Sequence, residues 1–254
     1  MNISALLERT VTKSRRVFPS TNPRDPEVRL PLRTELFLVA HDDETGRAHL
    51  DQHSLCLGFA GAVLLELRLS KRVLIGREYL VRDGRYGPDP GRITITDPTM
   101  WGDPLTDTAM SLLMRMGGAT YVSDFIREFA SLDLYDRVRG DMLAIGVLRR
   151  VTRRWFGLFR RDTYLPTRKA YPVKVRTWLR DLAVPRDHTD PNPELPHMQT
   201  VALAGLVTAL GLTRNLFHSD PAWLHTRLMD IIGRLYDNTV RDVHAAIDPA
   251  RRSR

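Results

Sequence analysis

The chain has 254 residues, enough to bury a substantial core as one large domain or two small ones. Its net charge of +8 and isoelectric point near 10 direct attention to polyanionic partners: nucleic acid, anionic lipid or an acidic protein face. A single cysteine, Cys56, excludes an intramolecular disulfide framework and fits a reducing compartment. No stretch approaches the ~20 apolar residues of a membrane span, and the opening residues lack the apolar core of a secretory signal.

Residues 1–29, with Thr12-Lys13-Ser14-Arg15-Arg16, read as a flexible basic arm. One folded domain is expected over 30–247, followed by a short basic tail over 248–254. Pro31–Ala40 predicts a helix capped by Thr34, with Glu35 in its first turn, and Asp42–Gly46 a polar turn. Ser54 is read as the cap of a helix over Leu55–Leu69, apolar nearly all round, whose Gly58, Ala60, Gly61 and Ala62 imply tight packing. Arg72–Ile75 and Arg92–Thr96 suit short strands, connected by the glycine- and proline-rich stretch Asp83–Gly91. Helices are predicted over 106–116, 121–132, 134–145 and 168–182, with a proline-rich loop over 184–196. A second small-residue helix covers 201–212, and a last long one starts at Pro221 and continues through Val243. The fold class is mainly α with two small hairpins.

The most telling stretch is Arg149–Tyr164, RRVTRRWFGLFRRDTY. Arginine pairs stand on both sides of Trp155-Phe156-Gly157-Leu158-Phe159, and the flanks carry strand-forming Val151, Thr152, Thr163 and Tyr164. Gly157 is a natural hairpin apex. Folded so, the segment becomes a finger with an aromatic tip and a cationic collar. Each large apolar side chain buried is worth roughly 1.5–3 kcal/mol, so four supply on the order of 6–12 kcal/mol before ordering costs. Each arginine near an anionic lipid surface adds about 1 kcal/mol. The competing reading is a strand that points into the protein's own core; short apolar runs do not separate the two, but doubled arginines favour exposure.

Other constellations carry less. His41, Asp42, Asp43, Glu44, His49, Asp51 and His53 have the chemistry of metal ligands. Yet the acids precede Gly46, where a turn wants them, and the histidines lack a helical i, i+4 spacing, so no metal is expected. There is no nucleophile elbow, P-loop or dinucleotide fingerprint, and Cys56 reads as core, so no enzyme and no cofactor are expected. Arg137, Arg139, Arg149, Arg150, Arg153 and Arg154 precede the finger at a density suited to phosphate. A helix followed by a basic hairpin also resembles a winged helix, which makes nucleic-acid binding the alternative. A wing, however, has no need of an aromatic tip.

From Pro31 onward the sequence resembles the Golgi phosphoprotein 3 family, and its bacterial members in particular. The matching pieces are LPLRTELFLVAHDDETGRAHLD, GFAGAVLLELRLSKRVLI, WGDPLTDTAM, IGVLRR with WFGLF, and VALAGLVTALGL, in the family's order over roughly residues 30–245. The resemblance implies a helical bundle core ringed by amphipathic helices. It also implies a peripheral membrane protein that reads phosphatidylinositol 4-phosphate and dips a hydrophobic hairpin, here Thr152–Thr163, into the bilayer. Eukaryotic members link Golgi membranes to coat and cytoskeletal partners and retain glycosyltransferases; nothing in this sequence speaks to those partners. The headgroup positions differ: Asp51 stands at a family tryptophan and Ala60 at an arginine. On the helix before the finger, Arg139 matches one family arginine, while Asp136, beside Arg137, falls at the other.

The sequence therefore predicts a cytoplasmic, non-enzymatic, peripheral membrane protein whose partner is anionic lipid. Arg137, Arg139, Arg149, Arg150, Arg153, Arg154, Arg160 and Arg161 are expected to face lipid phosphates, and Trp155, Phe156, Gly157, Leu158 and Phe159 to form the inserting tip. Self-association through the tip is a secondary expectation.

Overall fold

A computed structural model describes residues 29–76, 79–82, 85–88, 91–117, 120–155, 159–184, 198–217, 221–235 and 239–252. The basic arm before Arg29 and the proline-rich loop fall outside them. The described chain is mainly α. Its centre is three helices: α1 (Leu32–Val39), α2 (Gln52–Leu69) and α7 (Met198–Ala209). All eight residues of α1 are buried, as are ten consecutive residues of α7, from Thr200 to Ala209. Around them lie α3 (Pro104–Met116), α4 (Val122–Ala130), α5 (Leu134–Ala144), α6 (Ala170–Ala183), α9 (Pro221–Leu235) and α10 (Thr239–Arg252), with a single turn, α8 (Thr213–Leu216), before α9. The predicted last long helix is thus two helices, α9 and α10, and α10 runs to Arg252 through most of the segment read as a tail.

Small residues let the central helices approach closely. A Cβ on Gly61 of α2 would stand 2.8 Å from Ile247 and 3.0 Å from Val243, both on α10. One on Gly205 of α7 would meet Val240 at 2.1 Å. The helix–helix seams of the core are therefore set by missing side chains as much as by present ones.

Two predicted caps are corrected. α2 starts three residues earlier than expected, because Asp51 rather than Ser54 is the N-cap: its carboxylate accepts from the Ser54 backbone N–H at 2.9 Å and the Ser54 hydroxyl at 2.6 Å. α1 has no side-chain cap; it begins behind Pro31, and Thr34 lies buried inside it. Its charged residues are buried too. Arg33 pairs with Glu66 of α2 and, at 2.8 Å, with Asp103, the N-cap of α3, so one guanidinium joins three helices.

Three two-stranded antiparallel ladders occur among the described residues, where two hairpins were expected. β1 (Val73–Ile75) pairs with β4 (Ile93–Ile95) as predicted. Between them β2 (Tyr79–Arg82) pairs with β3 (Arg85–Pro88); β3 falls within the stretch read as a mere connection and β2 just ahead of it. The third ladder, β5 (Leu148–Trp155) with β6 (Phe159–Pro166), is the finger.

Candidate functional site

The finger is rooted by apolar residues. Val147 just before β5, Leu148 at its start and Leu165 near the end of β6 are buried. Thr167 closes the base by donating its backbone N–H to the Val147 carbonyl at 2.9 Å. From this root the ladder runs in unbroken register from Leu148↔Pro166 to Trp155↔Phe159, each pair equidistant from position 157. The apex read at Gly157 lies, with Phe156 and Leu158, outside the described residues.

Charge changes along the ladder. Near the body, Arg149 and Arg150 are exposed. Arg150 pairs with Asp162, which also accepts from the Thr152 hydroxyl at 2.7 Å. Hydrogen bonds from Arg150 and Thr152 hold the Asp162 carboxyl below its usual range. Farther out the register sets Arg153 opposite Arg161 and Arg154 opposite Arg160, then closes on Trp155 opposite Phe159. The register thus sets two arginine positions opposite two others just below the aromatic pair.

The two arginines of α5 part company. Arg137 is exposed. Arg139 is engaged: its guanidinium lies 2.6 Å from the Asp136 carboxylate, 5.4 Å from the Tyr135 ring centroid and 4.4 Å from that of Tyr164 on β6. Sequence reasoning missed three further basic residues at the root, Arg47, Arg168 and Lys169, all exposed. Arg168 and Lys169 follow β6 directly and were open to view. Arg47 was not, because only the fold brings its turn to β6, where a Cβ on Gly46 would stand 2.6 Å from the Tyr164 carbonyl oxygen.

The acid- and histidine-rich stretch is spent on structure. Burial pushes the buried His41 down to about 4, even though its Nδ1–H donates to the Phe37 carbonyl at 2.8 Å. Its Nε2 then accepts from the Tyr135 hydroxyl at 2.9 Å. Asp42 organises its own turn through Thr45, and Asp43 pairs with Arg176 of α6. At the family headgroup positions, Asp51 caps α2 and Ala60 is wholly buried.

The profile of the Golgi phosphoprotein 3 (GPP34) family matches residues 32–247, most of the chain and all of the architecture from α1 into α10. This chain belongs to the Golgi phosphoprotein 3 family. No curated protein matches it. Among the described residues of this family member, no helix is long and apolar enough to cross a membrane.

Proposed function

We propose that this Golgi phosphoprotein 3 family member is a peripheral membrane protein, not an enzyme, that binds anionic phospholipid surfaces through the β5–β6 finger. The observation that carries the reading is the register at the outer end of the ladder: two arginine–arginine pairs and then an aromatic pair. Like charges held directly opposite cost stability in solution, and a polyanionic surface that receives them turns that cost into affinity. Trp155, Phe156, Leu158 and Phe159 enter the interface. Arg153, Arg154, Arg160 and Arg161 meet phosphates at its edge, and Arg137, Arg149 and Arg150 add to the basic rim at the root. The family resemblance supports phosphatidylinositol 4-phosphate as one ligand. With Asp51 capping a helix and Ala60 in the core, headgroup selectivity is loosened and generic anionic lipid suffices.

The test is co-sedimentation with neutral vesicles, phosphatidylserine vesicles and vesicles that carry phosphatidylinositol 4-phosphate. Wild type is compared with a Trp155→Ser/Phe156→Ser/Phe159→Ser variant. Binding to both charged kinds, lost in the variant, is the expected result. Strong preference for the phosphoinositide would refute loosened selectivity, and binding to no vesicle would refute the membrane reading. Without membrane, the same tip is expected to drive self-association; a light-scattering mass of monomer alone at high concentration would contradict that.

A further inference from the structure

The geometry points to Arg139 as the positioning residue that fixes how the finger stands on the helical body, not as a headgroup ligand. The inference rests on the finger being the membrane-contacting element. It starts from a mechanical problem. A two-stranded ladder is marginal on its own, so its direction depends on its root. From Tyr164 to Phe159 the strand spans roughly 17 Å at ~3.3 Å per residue, and a tilt of about 10° at the root displaces the tip by about 3 Å. That is a large fraction of the roughly 5–10 Å depth to which apolar groups enter a lipid interface.

The root is gripped from two sides at consecutive residues. On one side the Asp42–Gly46 turn lies against β6 so closely that a Cβ on Gly46 would stand 2.6 Å from the Tyr164 carbonyl oxygen and 2.8 Å from the Thr163 methyl. Asp43 ties the same turn to α6 through Arg176. On the other side Arg139 places its guanidinium 4.4 Å from the Tyr164 ring centroid while reaching back to Tyr135 and Asp136 on its own helix. Tyr135 is itself fixed. Its hydroxyl bonds to His41, and its ring lies 5.9 Å from that of Phe37 and 6.4 Å from that of Phe59. A continuous path of packed rings and one cation thus runs from buried Phe59 and Phe37 through Tyr135 and Arg139 to Tyr164 on the finger. Arg139 is the link that crosses from body to finger. With its carboxylate partner 2.6 Å away and rings near it on both α5 and β6, it is already committed within the protein.

The test measures orientation without any membrane. Spin labels are placed on cysteines at Leu158→Cys and at the exposed Glu128→Cys of α4, in a Cys56→Ala background of the full chain. The distance distribution is recorded by pulsed electron resonance for the parent, Arg139→Gln, Tyr164→Leu and Tyr164→Phe, with circular dichroism to verify folding. Arg139→Gln and Tyr164→Leu are expected to shift or widen the distribution by ~3 Å, the displacement that a root tilt of that size gives the tip. Tyr164→Phe, which keeps the ring, is expected to retain the parent distribution. An unchanged distribution in Arg139→Gln overturns the assignment. If unlabelled Arg139→Gln at the same time loses binding to phosphatidylserine vesicles, Arg139 is a headgroup ligand instead. If wild type binds no vesicle, the functional reading falls while the distance measurement still decides the positioning role.

Discussion

Glu35, wholly buried on α1, has Arg29 as its counter-ion at 3.2 Å, yet burial pushes its carboxyl up to about 7. A carboxyl raised above its ordinary 4.5 binds its proton more tightly in the folded state, so its contribution to stability declines as pH rises from about 4.5 to about 7. Buried His41, pushed from 6.5 down to about 4, acts in the opposite sense: its contribution is full above about 6.5 and is lost as pH falls toward 4. The windows overlap. Wild-type stability is therefore expected to vary little between pH 5 and 6.5, while Glu35→Gln uncovers a slope that rises with pH, on the order of 1.5 kcal/mol across the window. Urea midpoints at half-unit pH steps check this, and a Glu35→Gln profile as flat as wild type contradicts it.

What was legible in the sequence follows from range. The apolar periodicity of α3 to α7, and the arginine pairs symmetrical about Gly157, are local signals, and the structure has those helices and that register. α1 was found but misread. Thr34 and Glu35 read as a helix cap and an acidic first turn, but they and Arg33 are buried within the helix because their partners, Glu66, Asp103, Gln199 and Arg29, converge from distant parts of the chain or from just before the helix. β2 and β3 were missed although Asp83-Gly84, a favoured hairpin-turn pair, stands between them; the density of prolines and glycines obscured it. The engagement of Arg139 with Tyr164, and of Gly46 with β6, had no signal in the sequence, since each joins residues far apart in the chain.

Two helical glycines are expected to respond with opposite sign. Gly205→Ala places a methyl 2.1 Å from Val240 and forces α7 and α10 apart or Val240 out of its rotamer, at about 1–3 kcal/mol. Gly140→Ala on α5 meets nothing within 4 Å and removes backbone freedom from the unfolded chain, so it stabilises by roughly 0.5–1 kcal/mol. Urea unfolding of both variants decides. Stabilisation by both would mean that the α7–α10 seam is looser than described, and destabilisation by both would contradict the expectation for Gly140.

Arg33→Leu is expected to be among the most damaging single changes. It leaves Glu66 buried without its cation and frees Asp103 from α1, at a cost of about 3–5 kcal/mol. Burial, which already pushes the Glu66 carboxyl up, then acts unopposed by Arg33, so much of the loss is expected to be recovered at acid pH as Glu66 takes up a proton. Unfolding midpoints at pH 4.5 and 7.5 test the recovery. An equal loss at both would assign the effect to packing alone.

Asp162 is the one acidic residue between Leu148 and Pro166, and it holds Arg150. Asp162→Asn removes a negative charge from the finger and releases that guanidinium toward solvent, where Arg150 is largely exposed already. If the finger meets anionic lipid, the variant binds phosphatidylserine vesicles more tightly by up to ~5-fold, the equivalent of about 1 kcal/mol. Arg154→Thr/Arg160→Thr removes two cations from the collar and weakens binding by about 30-fold on the same scale. Both effects diminish as salt rises, because exposed charges are screened within about 10 Å at 0.1 M ionic strength. Neutral vesicles should separate neither variant from wild type. Vesicle titrations at two salt concentrations provide the measurement. Tighter binding by Asp162→Asn that persists at high salt would assign the gain to a change in the hairpin's fold instead of its charge.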